Sequence, residues 1–151
     1  MSSFLRWLPA VSLASFLYYL SSMPGLRVVP KRWLPLWLDK LLASYTLKIG
    51  TSGFFSYTLS LQPEFVVRKL GHFGAFALLG ATVYFAVRSK RTAIILAILF
   101  AVLDEVHQGM TPGRDCRFWD IVLDSAAVIC GVAAYQRFSI GTPRKGRNEP
   151  D

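Results

Sequence analysis

A chain of 151 residues is one domain's worth of sequence, and this one combines 53% hydrophobic residues and a mean hydropathy of +0.40 with a formal net charge of +8. Apolar residues gathered into nearly charge-free windows argue against an ordinary soluble domain. Lys and Arg spread through loops and ends, with no basic face interleaved with aromatics, argue against nucleic-acid binding and match the cations that flank membrane spans.

The first window, about Leu8 to Met23, predicts a transmembrane helix over residues 4–23. A secretory signal starting at Arg6 is the alternative, but Tyr19-Leu20-Ser21-Ser22-Met23 is a poor small-residue cleavage site. The connector from Pro24 to Lys69 is too patterned for a plain linker. Leu34, Leu38, Leu41, Leu42 and Tyr45 recur at helical spacing beside Trp33 and Trp37, which predicts a short helix lying on the membrane surface. Phe55, Tyr57, Leu59 and Leu61 then alternate with Ser56, Thr58 and Ser60; a short strand and a re-entrant loop both satisfy that pattern.

Three more windows predict spans over about 70–88, 92–110 and 119–136. Each of the four windows reaches roughly 17 to 20 residues, which at about 1.5 Å per residue crosses most of a hydrocarbon layer roughly 30 Å thick. The expected fold is an all-α integral membrane four-helix bundle with an interfacial amphipathic or re-entrant segment between its first two helices. It forms a single domain, residues 1–151, closed by a basic tail, 137–151. Cys116 and Cys130, about 21 Å apart if on one helix, are beyond disulfide reach.

The short basic loop Arg88-Ser89-Lys90-Arg91 and the tail cations Arg144, Lys145 and Arg147 predict cytoplasmic chain ends for an even number of spans. Four cations stand on the other side without the excuse of a long loop: Arg68, Lys69, Arg114 and Arg117. Some requirement other than topology holds them there.

Up-and-down threading brings the polar ends of the last three spans to one membrane face, whichever side that is. Asp120, Asp124, Ala127, Gly131 and Ala134 share one helical stripe, as do Ala97, Ala101, Asp104 and Gln108, so the acids are expected to point into the bundle. Asp104 would lie roughly 18 Å into its span, where a carboxylate costs up to about 2.5 to 3.5 kcal/mol, so it needs a cation or a proton. Lys69, Arg114 and His72 are the available partners.

"SSMP" closing the first helix, "RKLGHFGAFALLG" opening the second, and "DEVHQGMTPGRDCRFWDIVLDSAAVICG" joining the last two resemble the VanZ-like membrane proteins, whose founding member is tied to teicoplanin resistance. The family pattern falls on Lys69, His72, Asp104, Glu105, Gln108, Arg114, Asp120 and Asp124; at Asp124 the pattern takes Asn as often. The resemblance implies a cell-envelope setting and protection against a surface-acting glycopeptide as an outcome, rather than a particular reaction.

Arg114 can clamp a phosphate or carboxylate in two parallel bonds, or it can form an internal salt bridge to Asp104, Asp120 or Asp124. Glu105, with Asp104 or His72, can serve as an acid–base pair, or the same acids can be a satisfied packing network. Lys69 contacts phosphate or snorkels to the headgroups. His107 reads as incidental. A metal set of His72, Asp104, Glu105 and Asp120 lacks supporting spacing, and no cofactor motif is present. The expectation is an outward-facing pocket in which Lys69, Gln108, Arg114, Asp120 and Asp124 bind a membrane lipid or lipid-linked glycan headgroup. Asp104, Glu105 and His72 are the catalytic candidates, and a non-enzymatic scaffold is the alternative.

Overall fold

The structure is a computed structural model that describes residues 3–24, 27–30, 35–50 and 53–141. In chain order the elements are α1 (Ser3–Ser21), α2 (Leu36–Ser44), β1 (Thr46–Ile49), β2 (Tyr57–Ser60), α3 (Pro63–Val87), α4 (Lys90–Met110) and α5 (Phe118–Gly141). Among the described residues three helices are long and apolar enough to cross a membrane: Pro63–Val87, Lys90–Met110 and Phe118–Ser139. The first expected span is a helix that packs on α3 and α4, yet it is not one of these three. Arg6, Pro9, Ser12, Ser15, Tyr18 and Tyr19 dilute its apolar character.

α3 begins seven residues before the expected start at Leu70, with Pro63 in its first turn, where a missing N–H costs nothing. Arg68 and Lys69 looked like the flank of a span, but the helix runs through them. At its other end Arg88 caps it in the left-handed conformation (φ 57°) and donates its N–H to the Tyr84 carbonyl at 2.8 Å. The Ser89 hydroxyl then accepts the Thr92 N–H at 3.4 Å and starts α4. Two residues therefore suffice to turn the chain back, which sets α3 and α4 side by side.

α3 and α5 share the most extensive contact in the fold. They approach closely because two glycines meet backbone: a Cβ on Gly131 would collide with the Ala77 carbonyl, and one on Gly80 would lie 2.5 Å from the Val128 oxygen. The core is Phe76, Leu79 and Val83 of α3, Ala93, Ala97 and Ala101 of α4, and Ala127, Val128 and Val132 of α5, with Ala10 and Leu17 of α1. The α4 stripe continues, as its spacing predicted, into buried Asp104 and Gln108. On α5 the expected stripe is buried at Asp124, Ala127 and Gly131, with Val128 and Val132 beside it, while Asp120 is partly exposed and Ala134 exposed.

The connector carries both a helix and a strand pair. α2 has no buried residue, and Leu36 (80%) and Trp37 (68%) are widely exposed; Trp33 and Leu34 lie outside the described residues. β1 and β2 pair antiparallel, Thr46 with Ser60 through Ile49 with Tyr57, and Gly50 (φ 80°) and Gly53 (φ 90°) supply the positive angles of the reversal. The hairpin's polar face looks inward and its Leu47 and Leu59 outward, the reverse of a soluble hairpin. Its loop is fastened to α5, where the Phe118 N–H donates to the Phe54 carbonyl at 2.9 Å and the Phe54, Phe55 and Phe118 rings cluster. Arg144, Lys145 and Arg147 lie outside the described residues.

Gly131→Ala is expected to lower the stability of the detergent-solubilised protein by about 1–3 kcal/mol, read as a fall in Tm, because a backbone contact has nowhere to move. Gly74→Ala, whose Cβ meets open space, is expected to leave Tm unchanged or slightly raised.

Candidate functional site

The start of α3, the end of α4 and the start of α5 converge at one end of the bundle, joined there by the end of α1 and roofed by the hairpin. Between them lies a cavity of about 310 Å³. Thr46, Thr58, Ser60 and Gln62 form its roof; Arg68, Lys69 and His72 come from α3, Gln108 from α4, Arg114, Asp115 and Arg117 from the α4–α5 loop, and Asp120 from α5. The four cations that topology alone does not explain, Arg68, Lys69, Arg114 and Arg117, all line this one space.

A two-rung ladder ties α3 to α5. The Lys69 ammonium pairs with the Asp120 carboxylate, and one turn deeper His72 Nδ1 lies 3.7 Å from Asp124 Oδ2. The rungs advance by three residues on α3 and four on α5, about one turn on each, as two parallel helices in contact allow. Lys69 also sits 5.6 Å from the centres of the Tyr57 and Phe65 rings, so an ammonium near the apolar layer is wrapped on several sides. Burial pushes the Tyr57 phenol above its ordinary pKa, and the Asp120 carboxylate adds to the effect.

Asp104 and Glu105 are buried but do not line the cavity. The Glu105 Oε1 accepts the backbone N–H of Arg117 at 2.7 Å, which pins the loop before α5 to α4. The Asp104 Oδ2 accepts from Gln108 Nε2 at 2.7 Å, while its Oδ1 is buried without a partner among the described residues. Gln108 reaches on to the Ser21 hydroxyl at 3.5 Å. His72, Asp104, Glu105 and Asp120 do not assemble into a metal-holding group, and no other such group of His, Cys, Asp and Glu occurs among the described residues.

Arg114 stands apart from these pairs. Thr111-Pro112-Gly113-Arg114 closes with the Arg114 N–H on the Thr111 carbonyl at 3.1 Å, and Gly113 (φ 79°) occupies the position where a type II turn requires a positive angle. The turn fixes the height of the guanidinium, which donates through Nη1 to the Ser21 carbonyl at 3.4 Å. Among the described residues no carboxylate lies within ion-pair distance of it. Burial, then the neighbouring Arg68 guanidinium, draws Arg114 below its ordinary pKa. Arg68 is held only loosely, 3.9 Å from Glu64, whose carboxylate is engaged by the backbone N–H groups of Val28 and Val29.

Sequence reasoning missed several members. Ser21 gives its carbonyl to Arg114 and to Thr111 at 3.3 Å, and "SSMP" was visible as a motif without a role. His107, read as incidental, bonds the Ser22 hydroxyl at 2.9 Å and stacks on Tyr18 at 4.3 Å, fastening α1 to α4. Arg68 and Arg117 carried one signal, a place on the expected outer side that the topology rule gives no reason for.

The profile of the family described as VanZ/LLP1 matches residues 6–139, most of the chain. No curated protein and no solved structure matches it significantly.

Glu105→Ala is expected to cost about 1–3 kcal/mol by stranding the Arg117 N–H, whereas Glu105→Gln keeps an oxygen there and holds Tm near wild type; thermal unfolding in detergent reads the difference. Burial, helped by the Glu105 and Asp120 carboxylates, raises the Cys116 thiol above its usual pKa. A raised pKa means less thiolate at a given pH. In a Cys130→Ser background, alkylation of Cys116 is therefore expected to climb with pH along a curve displaced to higher pH than that of a free thiol.

Proposed function

The chain belongs to the VanZ-like family, and from that premise we propose that this membrane protein recognises the anionic, phosphate-bearing head of an envelope lipid or lipid-linked glycan. In this reading α1 completes a four-span bundle, the Arg88–Arg91 turn and both chain ends lie in the cytoplasm, and the cavity at the opposite end of α3 faces outward.

One observation carries the proposal: four cations line a single roofed cavity, and Arg114 among them has no carboxylate partner within the described residues. A guanidinium that the Asp104 and Glu105 carboxylates reach only from beyond ion-pair distance is poised for an anion, which it holds by paired charge-assisted bonds. Lys69 is already neutralised by Asp120, and Arg117 bonds Asp115 at 3.0 Å. Arg114, with Arg68 beside it, is therefore the anion-binding pair, and Lys69, Asp120, Gln108 and the roof hydroxyls shape the head's polar surroundings.

If a reaction follows binding, His72 is the group that lines the cavity, with the Asp124 carboxylate 3.7 Å behind its Nδ1. Asp104 and Glu105 then act at one remove. The bond from Glu105 to the Arg117 backbone favours the second reading, a non-enzymatic lipid-binding scaffold whose acids hold the frame. Binding an envelope lipid accounts in either reading for protection against a glycopeptide acting at the same surface.

Arg114→Ala is expected to lower the anionic lipid retained on the purified protein by roughly tenfold to a hundredfold, the equivalent of about 1.5–3 kcal/mol for a charged hydrogen bond. Lipid mass spectrometry on matched, monodisperse preparations reads it, with Arg114→Lys falling between. Equal recovery of the same lipids from wild type and Arg114→Ala would sink the proposal. His72→Ala separates the two readings: a bound lipid that is retained but no longer converted marks an enzyme.

A further inference from the structure

A second cavity of about 290 Å³ lies between α1 and α3 and is lined by apolar groups, chiefly Leu13, Phe16, Leu17 and Leu20 of α1 and Val67 and Ala75 of α3. Its character is opposite to that of the roofed cavity, yet the two share Arg68, His72 and Arg114. The groove thus ends on the same guanidinium pair that faces the polar chamber.

Several features give the groove an occupant. Phe16 and Val67 are exposed on the flank of an otherwise apolar bundle, so the groove meets the acyl layer rather than water. Gly71 lines it one turn below Val67, and a Cβ built there meets nothing within 4 Å, so this helix position leaves a trough open along α3. Two guanidiniums side by side at the trough's polar end repel each other unless an anion lies between them, and they complement a phosphate attached to a hydrocarbon chain.

We infer that the α1–α3 groove is an acyl-chain site, in which a membrane phospholipid lies with one chain beside Gly71 and its phosphate between Arg68 and Arg114, reaching the polar cavity sideways from the bilayer. The inference rests on the headgroup reading above and adds the substrate class, an intact long-chain phospholipid taken from the membrane rather than a soluble phosphate. The second chain remains in the surrounding bilayer, because a trough between two helices admits one.

The test compares dioleoyl phosphatidic acid with its dihexanoyl analogue, binding to the full chain in a neutral detergent. Wild type is expected to prefer the long-chain lipid by at least roughly tenfold, since its chain reaches along the trough and packs against the groove walls where a hexanoyl chain ends short. Gly71→Leu, whose Cβ meets no atom within 4 Å, extends into the trough and is expected to abolish that preference while leaving dihexanoyl binding intact; Arg114→Ala weakens both lipids. In wild type, a photoactivatable group midway along the acyl chain is expected to label α1 between Leu13 and Leu20 and α3 between Val67 and Ala75. A Gly71→Leu protein that keeps the full chain preference, or labelling confined to other helices, overturns the groove while the headgroup reading stands. Wild type that binds neither lipid overturns both, and binding of both lipids equally identifies the ligand as a headgroup alone and overturns the groove.

Discussion

A charge in hydrocarbon survives only in company, and the pairing of Lys69 with Asp120 and of His72 with Asp124 is the place where this bundle meets that demand. Most of the remaining architecture can be read as its consequence. The ladder needs α3 and α5 near each other, and the bare backbone of Gly131 and Gly80 lets them approach. The same closeness buries Asp124 at 2% exposure and turns the neighbouring α4 so that its small-residue face delivers Asp104, Glu105 and Gln108 to the same end. Apolar side chains cover the outside, and acids occupy the inside, an arrangement stable only where the surroundings are less polar than the core.

Much of this was written in the sequence because helical period and polarity are local properties. Runs free of charge marked α3, α4 and α5, and the recurrence of Ala97, Ala101, Asp104 and Gln108 already gave the buried face of α4. Pro112-Gly113 is a tight-turn signal in the letters themselves, and the positive φ of Gly113 makes that turn type II. What escaped depends on groups that carry no residue-specific signature. Glu105 answers a backbone N–H twelve positions on, and Arg114 leans on the main-chain oxygen of Ser21, so neither partner could be identified by its letter. The boundary of α3 was missed for a related cause: Arg68 and Lys69 were taken to end an apolar run, but a helix can continue through cations that turn toward a polar interior.

The strand pair shows the limit of pattern reading in a different way. Alternation from Phe55 to Leu61 fits a strand or a re-entrant loop equally, and the decision came from a partner, Thr46–Ile49, whose own pattern is too short to announce itself. Its consequence for the site is large. Thr46, Thr58 and Ser60 convert what would be an open notch between helix ends into a chamber, and they place hydroxyls opposite the cations of α3 and of the α4–α5 loop.

The roof hangs from the Phe118 amide, and that dependence sets an order of events during biosynthesis. Residues 53–60 leave the ribosome well before Phe118, so the hairpin has only its contact with Lys69 of α3 until the start of the last helix is made. Completion of the chamber is therefore the closing act of assembly, and a nascent chain halted before its final span would expose an unroofed, cation-rich notch to the cell's membrane quality control.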